Sequence, residues 1–195
     1  METVVLGNES VNEGFLKTVG FKMAIFARTK LTIYDTCFAE DPGEVDLKYV
    51  GPHATELIKK SYELIKSVWK ASDSDIQEEN YSWGKGEEDK FSMRWYMHRD
   101  IDKFTYFWIR FTLKGQGTDK MGKANLVIRP VLITEYPQDT VWQRSLLYEM
   151  IRTFWHRVFY HGKRIDYIAD CRNLTALYSK KVKDFYNELL ERDKG

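Results

Sequence analysis

The sequence predicts a single α+β domain over residues 1–195: an antiparallel sheet of about five strands, packed by long C-terminal helices. Two adjoining segments, Phe91–His98 and Lys103–Lys114, sort their residues by parity. Phe91, Met93, Trp95, Met97, Phe107, Ile109, Phe111 and Leu113 share one parity, and Arg94, Tyr96, His98, Tyr106, Trp108 and Arg110 the other. Successive strand residues point to opposite faces, so one face is dry and the other carries rings and guanidiniums. Two later segments repeat apolar residues at helical spacing. Antiparallel strands followed by long helices bury these stripes most simply as a sheet with helices on one face.

In chain order, residues up to about Gly20 have little period and read as an extended lead-in. Phe21–Tyr34 is rich in β-branched and aromatic residues and reads as strand. The acidic stretch Asp35–Asp46 contains Asp41-Pro42-Gly43 and reads as a loop, with a short strand at Val45–Val50. Gly51-Pro52 breaks the chain before a helix near Ala54, whose Leu57, Ile58, Ser61, Leu64, Ile65 and Val68 form one stripe. A strand around Ile76–Trp83 precedes the parity-sorted pair, and Lys123–Tyr136 supplies the last strand. Pro130 lacks a backbone donor, which places it at an edge or a bulge.

Asp139 then reads as the N-cap of a long helix, Thr140–Tyr160. Its broad apolar face is Val141, Leu147, Tyr148, Ile151, Phe154, Trp155 and Val158. After a break at His161–Asp166, a second helix runs to about Arg192 with a stripe of Cys171, Leu174, Leu177, Tyr178, Phe185 and Leu189.

The element order over roughly Val45–Tyr160 resembles the helix-grip fold of START-like and polyketide-cyclase-like proteins. That resemblance implies a curved sheet wrapped on a long C-terminal helix, with a cavity between them for an apolar ligand. The chain departs from the pattern in its additional C-terminal helix. It also has too little sequence before the meander for the usual pair of helices.

The formal net charge is +1, but it is unevenly spread. Residues 1–90 hold 11 Lys and Arg against 17 Asp and Glu, whereas residues 91–195 hold 19 against 12. A basic half suits an anionic partner, or pairing with the acidic half. Two cysteines, Cys37 and Cys171, form no zinc spacing or disulfide framework, and the first residues lack a signal-peptide pattern. No apolar run approaches a membrane span. These features lead us to expect a cytoplasmic protein with free thiols.

Catalytic patterns are incomplete. Gly117–Ala124 matches a P-loop until Ala124 replaces the magnesium-binding hydroxyl, and strand rather than helix follows. It reads as a basic hairpin tip. His53, His98, His156 and His161 lack metal-ligand spacing. Glu135 shares a parity with Arg129, the pattern of a sheet ion pair more than of an acid–base pair. No nucleophile turn is present. A binding protein is therefore expected rather than an enzyme, with no cofactor or metal.

The ring-and-guanidinium face is the strongest candidate site. Aromatic rings stack on the bases of single-stranded nucleic acid while cations track its phosphates. The expected partner is RNA or a ribonucleoprotein such as the ribosome. The expected contacts are Arg94, Tyr96, His98, Tyr106, Trp108, Arg110 and Arg129, extended by Arg99, Lys103, Lys120, Lys123, Lys163 and Arg164 in neighbouring loops. The same side chains also stabilise antiparallel pairs without any partner. The alternative is a small hydrophobic or aromatic ligand, held where Trp108, Tyr106 and Arg110 line a cavity under helix Thr140–Tyr160. The direction in which this face points separates the two.

Overall fold

A computed structural model describes residues 32–38, 43–86, 88–118 and 120–192. The chain forms β1 (Thr32–Thr36), β2 (Val45–Gly51), α1 (Glu56–Trp69), β3 (Ile76–Gly84), β4 (Asp89–Asp100), β5 (Thr105–Gly117) and β6 (Gly122–Glu135), then α2 (Leu146–Trp155) and α3 (His161–Arg192). A π turn, His156–Tyr160, joins α2 to α3, so no break occurs at His161–Asp166. The expected lead-in to Gly20 lies outside the described residues, and so does Phe21–Leu31.

All strand pairs are antiparallel, in the order β1-β6-β5-β4-β3, with β2 also pairing β6. The sheet thus has six strands, in keeping with the antiparallel sheet of about five that the sequence predicts. β2 pairs with Gly122–Ile128 of β6 and β1 with Val131–Glu135. Pro130 falls between these two partners, where its missing donor leaves no ladder bond unmade. Its carbonyl still accepts from the Cys37 N–H at 3.1 Å.

The dry parity lies against α1 and α3. Phe91, Met93, Trp95 and Met97 of β4, and Phe107, Ile109, Phe111 and Leu113 of β5, are all buried. Trp69 from α1, Phe111 from β5 and Tyr178 from α3 meet with ring centroids 5.0–5.3 Å apart. Each such ring contributes about 2–3 kcal/mol through burial, and together they fill the space between sheet and helix. A six-stranded antiparallel sheet packed on a long C-terminal helix is compatible with a helix-grip architecture.

Three expectations need correction. First, helix Thr140–Tyr160 does not join this core. Its cap is Ser145, whose Oγ accepts from the Tyr148 N–H, and Val141, Leu147, Ile151, Phe154, Trp155 and Val158 are exposed. Second, Asp139 caps nothing there; its backbone N–H donates to Gln143. Third, the cysteines are not free thiols: Cys37 and Cys171 form a disulfide, both sulfur-bearing residues fully buried. The apolar face of a helix reveals only that something should cover it, and two cysteines 134 residues apart give no sign of meeting.

The α2–α3 rod is fastened to the sheet by polar contacts. The Asp102 carboxylate accepts from the Tyr160 and Tyr167 hydroxyls and from the N–H groups of Phe104 and Thr105. Burial pushes its carboxyl up, but these donors outweigh burial and hold it below the ordinary value. His156 Nδ1 lies 2.8 Å from the Tyr136 hydroxyl. Burial, then the charges of Arg164 and His161, hold its imidazole below the ordinary value.

A lowered folded-state pKa means that the unfolded chain binds more protons. The His156 contribution is complete above its unfolded value and is lost as pH falls through the folded one. Asp102 acts in the same direction at lower pH. The melting temperature is therefore expected to fall between about pH 7.5 and about pH 5, and to fall less in His156→Gln. Equal slopes for the two proteins in thermal melts across this window would contradict the assignment.

Candidate nucleic-acid interface

The other parity of β4 and β5 looks away from α1 and α3. Trp108 is 43% exposed, and Arg94, Tyr96, Tyr106 and Arg110 are half-buried among their neighbours on the sheet surface. Strand register explains their grouping. Tyr96 stands opposite Arg110, and Arg110 opposite Arg129, in one row across β4, β5 and β6. The next row is His98, Trp108 and Val131. Diagonal neighbours bring Tyr96 to Trp108 at 5.6 Å and His98 to Tyr106 at 4.3 Å between ring centroids. Tyr96, Trp108, Arg110, Arg129 and Val131 line an open depression of about 160 Å³.

Charge on this face is divided between paired and unpaired groups. Arg94 donates to Glu79 at 3.0 Å, beside an irregularity in the β3–β4 register, and Arg129 pairs with Glu44. His98 lies 3.1 Å from Asp100, and the Tyr106 hydroxyl donates to Glu135. Burial, then Glu135, push the Tyr106 phenol up to about 12, so it remains a donor at neutral pH. Among the described residues Arg110 has neither an ion pair nor a hydrogen-bond partner, although its row neighbour Arg129 has one.

Farther along the same face Lys48, Lys114 and Lys123 line a groove of about 470 Å³ with Ser92 and Asn125. Lys114 is four residues from Arg110 on β5, about 13 Å along an extended strand. Lys48 and Lys114 were not among the sequence-derived contacts. Extending the β5 parity to its end would have found Lys114, whereas Lys48 needed the β2–β6 pairing. Lys120 sits in the exposed β5–β6 hairpin beyond this groove.

Other expected contacts lie elsewhere. Arg99 belongs to the dry parity, and its guanidinium donates to the Trp69 carbonyl, closing the C-terminus of α1. Arg164 is buried against α3's surroundings and paired with Asp35, so it is not available to a phosphate. Lys163 is exposed but stands on the first turn of α3 rather than on the sheet. Lys103 occupies the β4–β5 turn, beside a cleft whose other charged residues are Asp100, Asp102, Glu135 and Asp139.

Among the described residues, no helix lies over Trp108, Tyr106 and Arg110, whose face is opposite the one that α1 and α3 cover. The sheet–helix space is occupied by Trp69, Trp95, Phe111 and Tyr178, each no more than 2% exposed. No cluster of three or more His, Cys, Asp or Glu fit for a metal occurs among the described residues. In sequence, no protein-family model and no curated protein matches the chain.

Proposed function

We propose that the protein binds single-stranded RNA, free or displayed on a ribonucleoprotein, across the outer face of β4, β5 and β6. The observation that carries this reading is the Arg110 guanidinium, without a partner among the described residues, in an open depression lined by Tyr96 and Trp108. Trp108 offers a ring for a base, Arg110 a fork for a phosphate, and Lys114, Lys123 and Lys48 continue the positive track. The chain acts here as a binding protein without chemistry of its own. Filling of the sheet–helix space favours this over a helix-grip ligand cavity.

The same reading includes a cytoplasmic location, where thiol reductants compete with disulfides. Full burial of Cys37 and Cys171 is the protection such a bond needs, because exchange requires access to a sulfur.

The test is a salt titration with a fluorescent single-stranded oligoribonucleotide. Neutralising about three to five phosphates gives a log–log slope near −2 to −4, with micromolar or tighter binding at low salt. Absence of binding at low salt, or binding indifferent to salt, would end this reading.

A further inference from the structure

The α2 segment is amphipathic in reverse. The side facing the body is polar: Glu149, Arg152, His156, Tyr160 and Arg164 recur every three or four residues. Each has a polar partner, in Gln138, Tyr136, Asp102 or Asp35, or within the stripe itself. The side facing water is apolar. Leu147, Met150, Ile151, Phe154 and Val158 follow helical spacing and are each 51–64% exposed. Trp155 and Phe159 widen that side, and Trp142 and Ile165 lie exposed at its ends. From Leu146 to Ile165 the stripe is about 30 Å long. A helix bathed in water on its outer side normally presents the opposite pattern.

Charge identifies what covers it. Between Thr140 and Ile165 the chain has five Lys and Arg but one acid, Glu149. That acid is engaged by Arg152 and Gln138 on the body side. Arg144, Arg157 and Lys163 remain exposed around the apolar side. A second copy would bring the same cations and no exposed acid from this stretch to meet them. Residues 15–31 of the chain are likewise basic, with Lys17, Lys22, Arg28 and Lys30 and no acid. No helix among the described residues is long and apolar enough to cross a membrane. An apolar stripe with tryptophans and flanking cations instead suits a helix lying in the plane of an anionic lipid surface.

We propose that α2 and its continuation to Ile165 dock on a membrane surface carrying anionic headgroups, with Leu147, Ile151, Phe154 and Val158 entering the acyl boundary and Arg144, Arg157 and Lys163 at the headgroups. The polar stripe beneath holds the helix in this orientation before lipid is met.

Co-sedimentation of the full chain with vesicles tests this. Vesicles of phosphatidylcholine with about a quarter phosphatidylglycerol are expected to bind it at least tenfold better than phosphatidylcholine alone. The double variant Phe154→Glu/Val158→Glu is expected to lose about tenfold or more of that binding while melting at the same temperature or higher. Arg157→Glu weakens binding to anionic vesicles by about fivefold or more. Arg110→Ala leaves vesicle binding unchanged, which separates this site from the RNA face. Failure to bind anionic vesicles would overturn the proposal. So would a dimer in sedimentation velocity that Phe154→Glu/Val158→Glu dissociates, with no lipid binding, since the occupant would then be a second copy.

Discussion

Removing the Cys37–Cys171 bond, by Cys37→Ala with Cys171→Ala, is expected to destabilise the fold by about 4–5 kcal/mol. The bond closes a loop of 134 residues, and cross-linking so long a loop removes much entropy from the unfolded chain. That is a large part of a typical domain's stability of about 5–15 kcal/mol. The bond does not act alone. Arg164 pairs with Asp35, and Arg172 donates to the Cys37 carbonyl, so α3 grips residues 35–37 at three places. Without the disulfide, β1 should be the first strand to exchange its amide protons, because among the described residues it pairs with β6 alone and the lost bond anchors Cys37 directly after it. Chemical denaturation of oxidised and double-alanine proteins checks the magnitude. A loss below about 1 kcal/mol, against the 2–5 typical for native disulfides, would mean the bond contributes little to the native state.

The second large effect belongs to the outer sheet face. Trp108→Ala is expected to weaken RNA binding by about 1–3 kcal/mol, roughly 5- to 150-fold, through loss of one stacked base. Arg110→Ala is expected to reduce the magnitude of the salt slope by about 0.7, the share of one phosphate contact. Arg94→Ala should cost less, since Arg94 is already committed to Glu79. These substitutions leave the helix-facing core intact. Trp108 is 43% exposed and its ring meets Tyr96 across the sheet, so its loss removes cross-strand contacts of only about 0.2–1 kcal/mol each. Melting lowered by no more than about 2–4 °C, with clearly weakened binding, is therefore the expected signature. Lys163→Ala, by contrast, should leave RNA binding unaltered because that residue stands on α3.

The sheet was legible because a period of two is unambiguous once one face is dry. Phe91 through Met97 and Phe107 through Leu113 are buried as their parity indicates, and Arg110 and Trp108 face the other way. Pro130, expected at an edge or a bulge, lies instead in the inner strand β6, at the gap between its β2 and β1 partners. Helical stripes proved less informative. Those of α1 and α3 lead to Leu57, Ile65, Tyr178 and Leu189, all in the core. The stripe of α2 is as apolar but points outward, because its polar side finds Asp102, Tyr136 and Asp35. Periodicity fixes which residues share a side and is silent on what that side meets. Basic loop residues carried the same ambiguity. Arg99 and Arg164 look like surface cations in sequence, yet one closes a helix and the other is buried against an acid.

The outer-face assignment is tested most directly by photo-cross-linking. Single-stranded RNA bearing 4-thiouridine is irradiated with the full chain, and the modified peptides are mapped by mass spectrometry. The expected cross-links fall on Tyr96, Trp108 and their neighbours in β4 and β5, and disappear in Trp108→Ala with Arg110→Ala. Cross-links confined to α1 or α3, or surviving that double substitution, would contradict the claim that RNA lies across this sheet.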